Sequence, residues 1–152
     1  VIADRVRLLG TLRCLDTALY DELPQWVEST AQQICRAYGG EATVRFRGIA
    51  PPVQNDLELT RLLEQVALEQ LGRERVLELE QPSLGAEDFA HYLGHVPGCM
   101  FRLGVAGPEG CAPLHNGAFN PEEACLPLAV ELLSATLRRW LEQHDEQSGG
   151  AL

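Results

Sequence analysis

The sequence has 152 residues, 45% of them hydrophobic, and a formal net charge of −10 at pH 7. That is enough chain for one domain with a sizeable core or for two partial ones. It is too acidic for a nucleic-acid partner, which needs clustered Lys and Arg, and no apolar run approaches the roughly 20 residues that span a bilayer.

Five cysteines, an odd number at irregular spacings, argue against a secreted disulfide framework and for a reducing cytoplasm. The opening lacks the basic-then-apolar layout of a signal peptide. The only methionine is Met100, so the natural N-terminus is expected upstream of Val1. The charge is uneven. Residues 1–52 hold six Arg against six acidic residues, and residues 53–152 hold six Arg against sixteen. With Pro51-Pro52 at the junction, this asymmetry predicts two modules. All twelve basic residues are Arg, which reflects compositional bias and not function.

In the first module, residues 5–14 alternate. Val6, Leu8, Leu12 and Cys14 share one face, and Arg5, Arg7, Leu9, Thr11 and Arg13 the other, as in a half-buried strand. Residues 17–38 carry a helical stripe of Leu23, Val27, Thr30, Ala31, Ile34 and Tyr38. Asp16 is the expected N-cap and Gly39-Gly40 the stop, while Pro24 is expected to kink the helix. Residues 41–49 alternate again, with Ala42, Val44 and Phe46 opposite Thr43, Arg45 and Arg47. Strand, helix, strand is half of a ferredoxin-like split unit. The arginines on the outer face suit a solvated sheet surface.

The second module opens with a helix to about Leu71, capped by Asn55 or Asp56, with Asn55 and Glu58 at capping-box spacing. Leu59, Leu62, Leu63, Val66 and Ala67 form its stripe, and Gly72 closes it. Residues 76–79 are a short strand candidate. Pro82-Ser-Leu-Gly85 then leads into a helix through Glu87, Asp88, Phe89 and Tyr92. Acidic residues in a first turn commonly just complement the helix dipole. Residues 99–105 alternate as a strand with Cys99, Phe101, Leu103 and Val105 on one face. A last helix is expected from Asn120-Pro121-Glu122-Glu123, bent at Pro127, with a stripe of Cys125, Ala129, Leu132, Leu133, Thr136 and Trp140. After His144 the polar, glycine-rich tail is expected to fray.

Between strand and helix stands Cys111-Ala-Pro-Leu-His115-Asn-Gly-Ala-Phe119. A loop histidine there is placed for chemistry, since its neutral ring nitrogen binds metals. The plainer alternative is a surface histidine.

Three segments in order carry a resemblance: Val1-Ile-Ala-Asp-Arg-Val-Arg-Leu-Leu-Gly-Thr-Leu-Arg13, Pro82-Ser-Leu-Gly-Ala-Glu-Asp-Phe-Ala-His-Tyr92, and the His115 loop. Together they resemble the C-terminal part of the zinc amidohydrolases related to hippurate hydrolase and indole-acetyl-amino-acid hydrolase, within the aminoacylase and carboxypeptidase-G type metallopeptidases. The resemblance implies an α/β fold class and a fragment of a two-domain protein. Residues 1–52 would be the second half of a ferredoxin-like lid and dimerisation domain, and residues 53–152 the C-terminal part of the metal-dependent catalytic domain. It further implies that His115 is a metal ligand, that Arg13 binds the substrate carboxylate, and that Gly85, Glu87 and Asp88 line the cleft. The implied metal is zinc or manganese, dinuclear in the complete enzyme, with the general-base Glu and the other ligands upstream. The implied substrate is a small-molecule amide of the N-acyl amino acid kind.

Three mechanisms compete. Metal-assisted amide hydrolysis needs three protein ligands, of which this chain supplies only His115, so the isolated chain is expected to be inactive. A cysteine nucleophile could pair Cys111 with His115, or Cys99 with His91 or His95, but no third, orienting group accompanies either. A non-catalytic interaction or dimerisation module is the remaining reading. Residues 1–49 are expected either to form a homo-oligomer contact or to pair with the missing N-terminal part.

Overall fold

The computed structural model describes residues 3–48 and 50–148. Val1 and Ile2, part of the opening motif, Ile49 at the end of the second expected strand, and the tail after Ser148 lie outside the described residues. The chain divides into two units, Val1–Gln54 with Glu80–Val96, and Asn55–Leu79 with Pro97–Leu152.

The first unit is built on α1, Thr17–Ala37. Asp16 caps it as expected, its Oδ1 accepting from the N–H groups of Ala18 at 2.8 Å and Leu19 at 3.1 Å. At the other end Gly39 takes φ 74°. Gly40 N–H then reaches Cys35 O at 2.8 Å, and Gly39 N–H reaches Arg36 O at 3.1 Å. That paired closure needs a left-handed residue, which glycine supplies without a Cβ penalty. The helix runs through Pro24 without interruption. None of its residues is buried, and Val27, Ile34 and Tyr38 of the expected stripe are exposed. The other helix of this first unit, α3 (Phe89–Leu93), is short and buries Ala90.

The other unit holds α2 (Leu57–Leu71), a 3-10 turn at Arg73–Arg75, and α4 (Cys125–Ser148). Leu63, Val66 and Ala67 of α2 pack with Leu132 of α4, and Val76, Cys99, Phe101 and Ala135 close around them. Each large apolar side chain so buried stabilises the unit by about 1.5–3 kcal/mol. Glu69 and Arg139 tie the same two helices by a bidentate ion pair, at 2.7 and 3.2 Å. The α2 stripe is as expected, but its cap is not a capping box. The Asn55 carboxamide bonds the backbone of Met100 instead, donating to its O at 2.8 Å and accepting from its N–H at 2.9 Å. Asp56 is therefore left to cap, accepting from Leu59 N–H at 2.9 Å.

The last helix starts at Cys125, not at Asn120. Glu122 N–H is taken by Val105 O at 2.9 Å. A helix begun at Pro121 would also put Pro127 in its second turn, where the missing N–H and the ring clash cost most. Starting at Cys125 moves Pro127 into the first turn, where no N–H is needed. The helix also continues past His144 to Ser148, so the expected fraying does not begin there. Leu133 of the expected stripe is exposed.

The expected strands at 5–14, 41–49, 76–79 and 99–105 form no ladder among the described residues, whose one bridge joins Gly107 and Gly110. In its described part the chain is thus helical and not α/β. Alternation sets which side chains face inward, but a strand also needs a partner's backbone. From Phe101 on the inward pattern survives without one: Phe101, Leu103 and Val105 are half-buried, with Arg102 and Gly104 exposed between them, whereas Cys99 and Met100 are both half-buried. No helix among the described residues is long and apolar enough to cross a membrane.

Candidate functional site

His115 sits in an exposed run, residues 113–120. It takes φ 67°, the one positive-φ residue other than glycine among those described. Asn116 N–H bonds Pro113 O at 3.2 Å, so residues 113–116 make a β-turn with His115 third, the position that demands φ > 0 in a type II turn. A side chain held there costs about 1–2 kcal/mol relative to the ordinary helical region, and strained residues of this kind cluster at functional sites. A second turn follows directly. Phe119 N–H bonds Asn116 O at 2.9 Å, and Ala118 N–H bonds Asn116 Oδ1 at 2.9 Å. The Cys111 thiol donates to Asn120 O at 3.2 Å, closing the base of the loop.

Arg13 lies in the other unit. Its Nη1 donates to Leu84 O at 2.6 Å, which joins the end of the first expected strand to the loop at 82–88. A guanidinium carries further N–H donors in a planar fork, so one bond to a carbonyl leaves it able to receive a carboxylate. Within the loop, Gly85 N–H bonds Ser83 Oγ at 3.1 Å. A Cβ on Gly85 would come within 3.2 Å of that oxygen, tight enough to strain the turn. Glu87 and Asp88 are exposed at the start of α3. Glu87 Oε1 lies 3.5 Å from Phe89 N, a long contact of the helix-capping kind, while Asp88 makes no side-chain cap bond. The structure thus brings Arg13 together with the loop holding Gly85, Glu87 and Asp88. His115 belongs to the second unit.

Among the described residues no three of His, Cys, Asp and Glu gather as a metal cluster. A cavity of about 570 Å³, lined by residues 107–110 and 120–123, carries Glu109, Glu122 and Glu123 but none of the expected site residues. All five cysteines are free thiols, with Cys125 buried and the others half-buried. Asn116 takes part in both turns of this loop. Its one available signal was the Asn-Gly dipeptide, a strong turn former. The Leu84 contact uses a backbone oxygen and leaves no trace in residue identity.

The sequence pattern of peptidase family M20/M25/M40 matches residues 3–139, a span that takes in Arg13, the 82–88 loop and His115. The chain belongs to this family. A probable hydrolase of Synechocystis is 43% identical over 136 residues, covering 88% of this chain and 35% of the relative. The N-acetyl-L-cysteine deacetylase of Bacillus subtilis is 30% identical over 146 residues, 96% of this chain and 34% of the relative. The N-acetyldiaminopimelate deacetylase of Anoxybacillus flavithermus is 33% identical over 136 residues, 88% of this chain and 34% of the relative. This M20 chain therefore spans about a third of the length of the curated relatives it matches. No solved structure matches it.

Proposed function

We propose that this segment works within a metal-dependent amidohydrolase that cleaves N-acyl amino acids, adding water across the amide to release a carboxylic acid and an amino acid. The observation that carries the reading is the bond from Arg13 to Leu84 O. It holds a guanidinium beside the 82–88 loop, where a substrate carboxylate can be bound by the fork while Gly85, Glu87 and Asp88 line the approach. His115 supplies a neutral ring nitrogen as one metal ligand, and its exposed, strained turn fits that role. A bound zinc or manganese pair would polarise the scissile carbonyl and lower the pKa of water. One histidine does not make a catalytic site of three protein ligands, so the remaining ligands and the general-base Glu come from outside this segment. The two deacetylases similar to this chain take N-acetylated amino acids by name, which supports the substrate class. Within it we favour the hippurate hydrolase and indole-acetyl-amino-acid hydrolase branch. The free thiols suit a cytoplasmic enzyme.

The test is the full-length enzyme on N-acetyl and N-benzoyl amino acids with added zinc or manganese. Turnover is expected, with a preference for the N-benzoyl substrates, and loss of turnover and of metal in His115→Ala. His91→Ala and His95→Ala should do little. Unchanged metal stoichiometry in His115→Ala defeats the ligand assignment. The 152-residue chain alone should show no turnover; activity that vanishes in its own His115→Ala variant would defeat the division of the site between this segment and the rest.

A second reading, a non-catalytic interaction or dimerisation module formed by residues 1–49, is favoured by α1, which fully buries no residue and leaves Trp26, Val27 and Ile34 exposed.

A further inference from the structure

We propose that Asn116 is a positioning residue for His115, holding the imidazole in the orientation that metal binding requires. This rests on the reading of His115 as a ligand and goes beyond it by naming what fixes that ligand. Residues 113–120 are all exposed, so packing does not fix their conformation and hydrogen bonds must. Three of those bonds converge on Asn116. Its N–H closes the turn that sets His115 at φ 67°, at 3.2 Å; its carbonyl closes the next turn, at 2.9 Å; and its side-chain Oδ1 takes Ala118 N–H, at 2.9 Å.

The first of these bonds is the longest, and it holds the least favoured backbone angle in the loop. The left-handed region is uphill for a residue with a Cβ. The turn before Asn116 therefore depends on its pivot being held from the other side. The side-chain bond does this. Asn at the first position of a turn, bonding the N–H two residues on, pre-sets its own backbone. With Oδ1 removed, the second turn keeps only its backbone bond, and residue 116 gains freedom that passes directly to the adjacent His115. Because Ala118 N–H is exposed, water replaces the lost partner at little cost to folding. The effect should thus appear in ligand geometry and not in stability.

The experiment uses the full-length enzyme with Asn116→Ala and Asn116→Asp, the latter keeping an acceptor at the same place. Metal affinity is measured by chelator competition, alongside kcat, KM and melting temperature. Outer groups that orient a metal ligand typically contribute ten- to a hundred-fold in affinity or activity. Asn116→Ala is expected to weaken metal binding and lower kcat by about that range, with KM and melting temperature unchanged, and Asn116→Asp to restore both. Wild-type metal affinity in Asn116→Ala, where His115→Ala loses its metal, overturns the proposal and leaves the ligand reading standing. Metal retained in His115→Ala overturns both. A fall in melting temperature matching the loss, or no rescue by Asn116→Asp, assigns Asn116 a structural role only and also overturns it.

Discussion

Arg13 Nη1 donates to Leu84 O at 2.6 Å across 71 positions of sequence. A cation at the end of one segment is thereby fixed to the loop that carries Gly85, Glu87 and Asp88. If this guanidinium binds the substrate carboxylate, Arg13→Ala should lower kcat/KM of the full-length enzyme through KM. Hydrogen bonds to charged groups are worth about 1.5–3 kcal/mol, about ten- to a hundred-fold. Arg13→Lys should recover little, because an ammonium cannot form the planar fork. Comparing N-acyl amino acids with their carboxamides checks the role. The penalty should vanish for the carboxamides, and an equal penalty on both would assign Arg13 to the loop alone.

The ion pair between Glu69 and Arg139 predicts a pH dependence of stability. The hydrogen bond from Arg139, with a smaller one from Gln65, holds the Glu69 carboxyl below its usual range. Arg139 is shifted up by the same bond and stays charged at every working pH. A carboxyl whose folded pKa is depressed contributes stability above its unfolded pKa, and that contribution is lost as pH falls through the folded value. Urea midpoints should therefore drop more steeply below the usual glutamate range in wild type than in Glu69→Gln. The pair is exposed enough that the difference will be small. Parallel acid profiles would show that the pair contributes nothing.

Leu132 and Leu133 are neighbours on α4 with opposite fates, Leu132 being 4% exposed and Leu133 54%. Leu132→Ala should destabilise by about 2–5 kcal/mol, the transfer loss plus the cavity left against Leu63 and Val66. Leu133→Ala should cost no more than about 0.5 kcal/mol. Chemical denaturation of both variants checks this. Equal losses would mean that Leu133 is covered in solution.

Trp26 and Ile34 of α1 are 53% and 56% exposed, and no residue of the helix is fully buried. Apolar surface left open in this way favours association. Light scattering at micromolar concentration should give a mass above the 16.7 kDa of one chain, reduced by Trp26→Glu. A monomer of 16.7 kDa with a cooperative melt would show that residues 1–49 need no partner.

What residue identity determined here is local. Asp16 and the Gly39-Gly40 stop bound α1 because a cap and a left-handed stop are settled within a few residues by backbone hydrogen bonds. The α2 stripe at Leu62, Leu63, Val66 and Ala67 follows from helical periodicity alone. The motifs around Arg13, the 82–88 loop and His115 likewise marked the family. Tertiary structure decided what depends on a distant group. Asn55 gave up its cap to Met100, and Val105 O took the Glu122 N–H that would have opened α4 early. Leu132 and not Leu133 met α2. Alternation marked the inward side chains of 101–105, yet the ladder needed a second backbone that the described residues do not supply. Periodicity records which face is apolar; only a partner's position determines whether that face is covered.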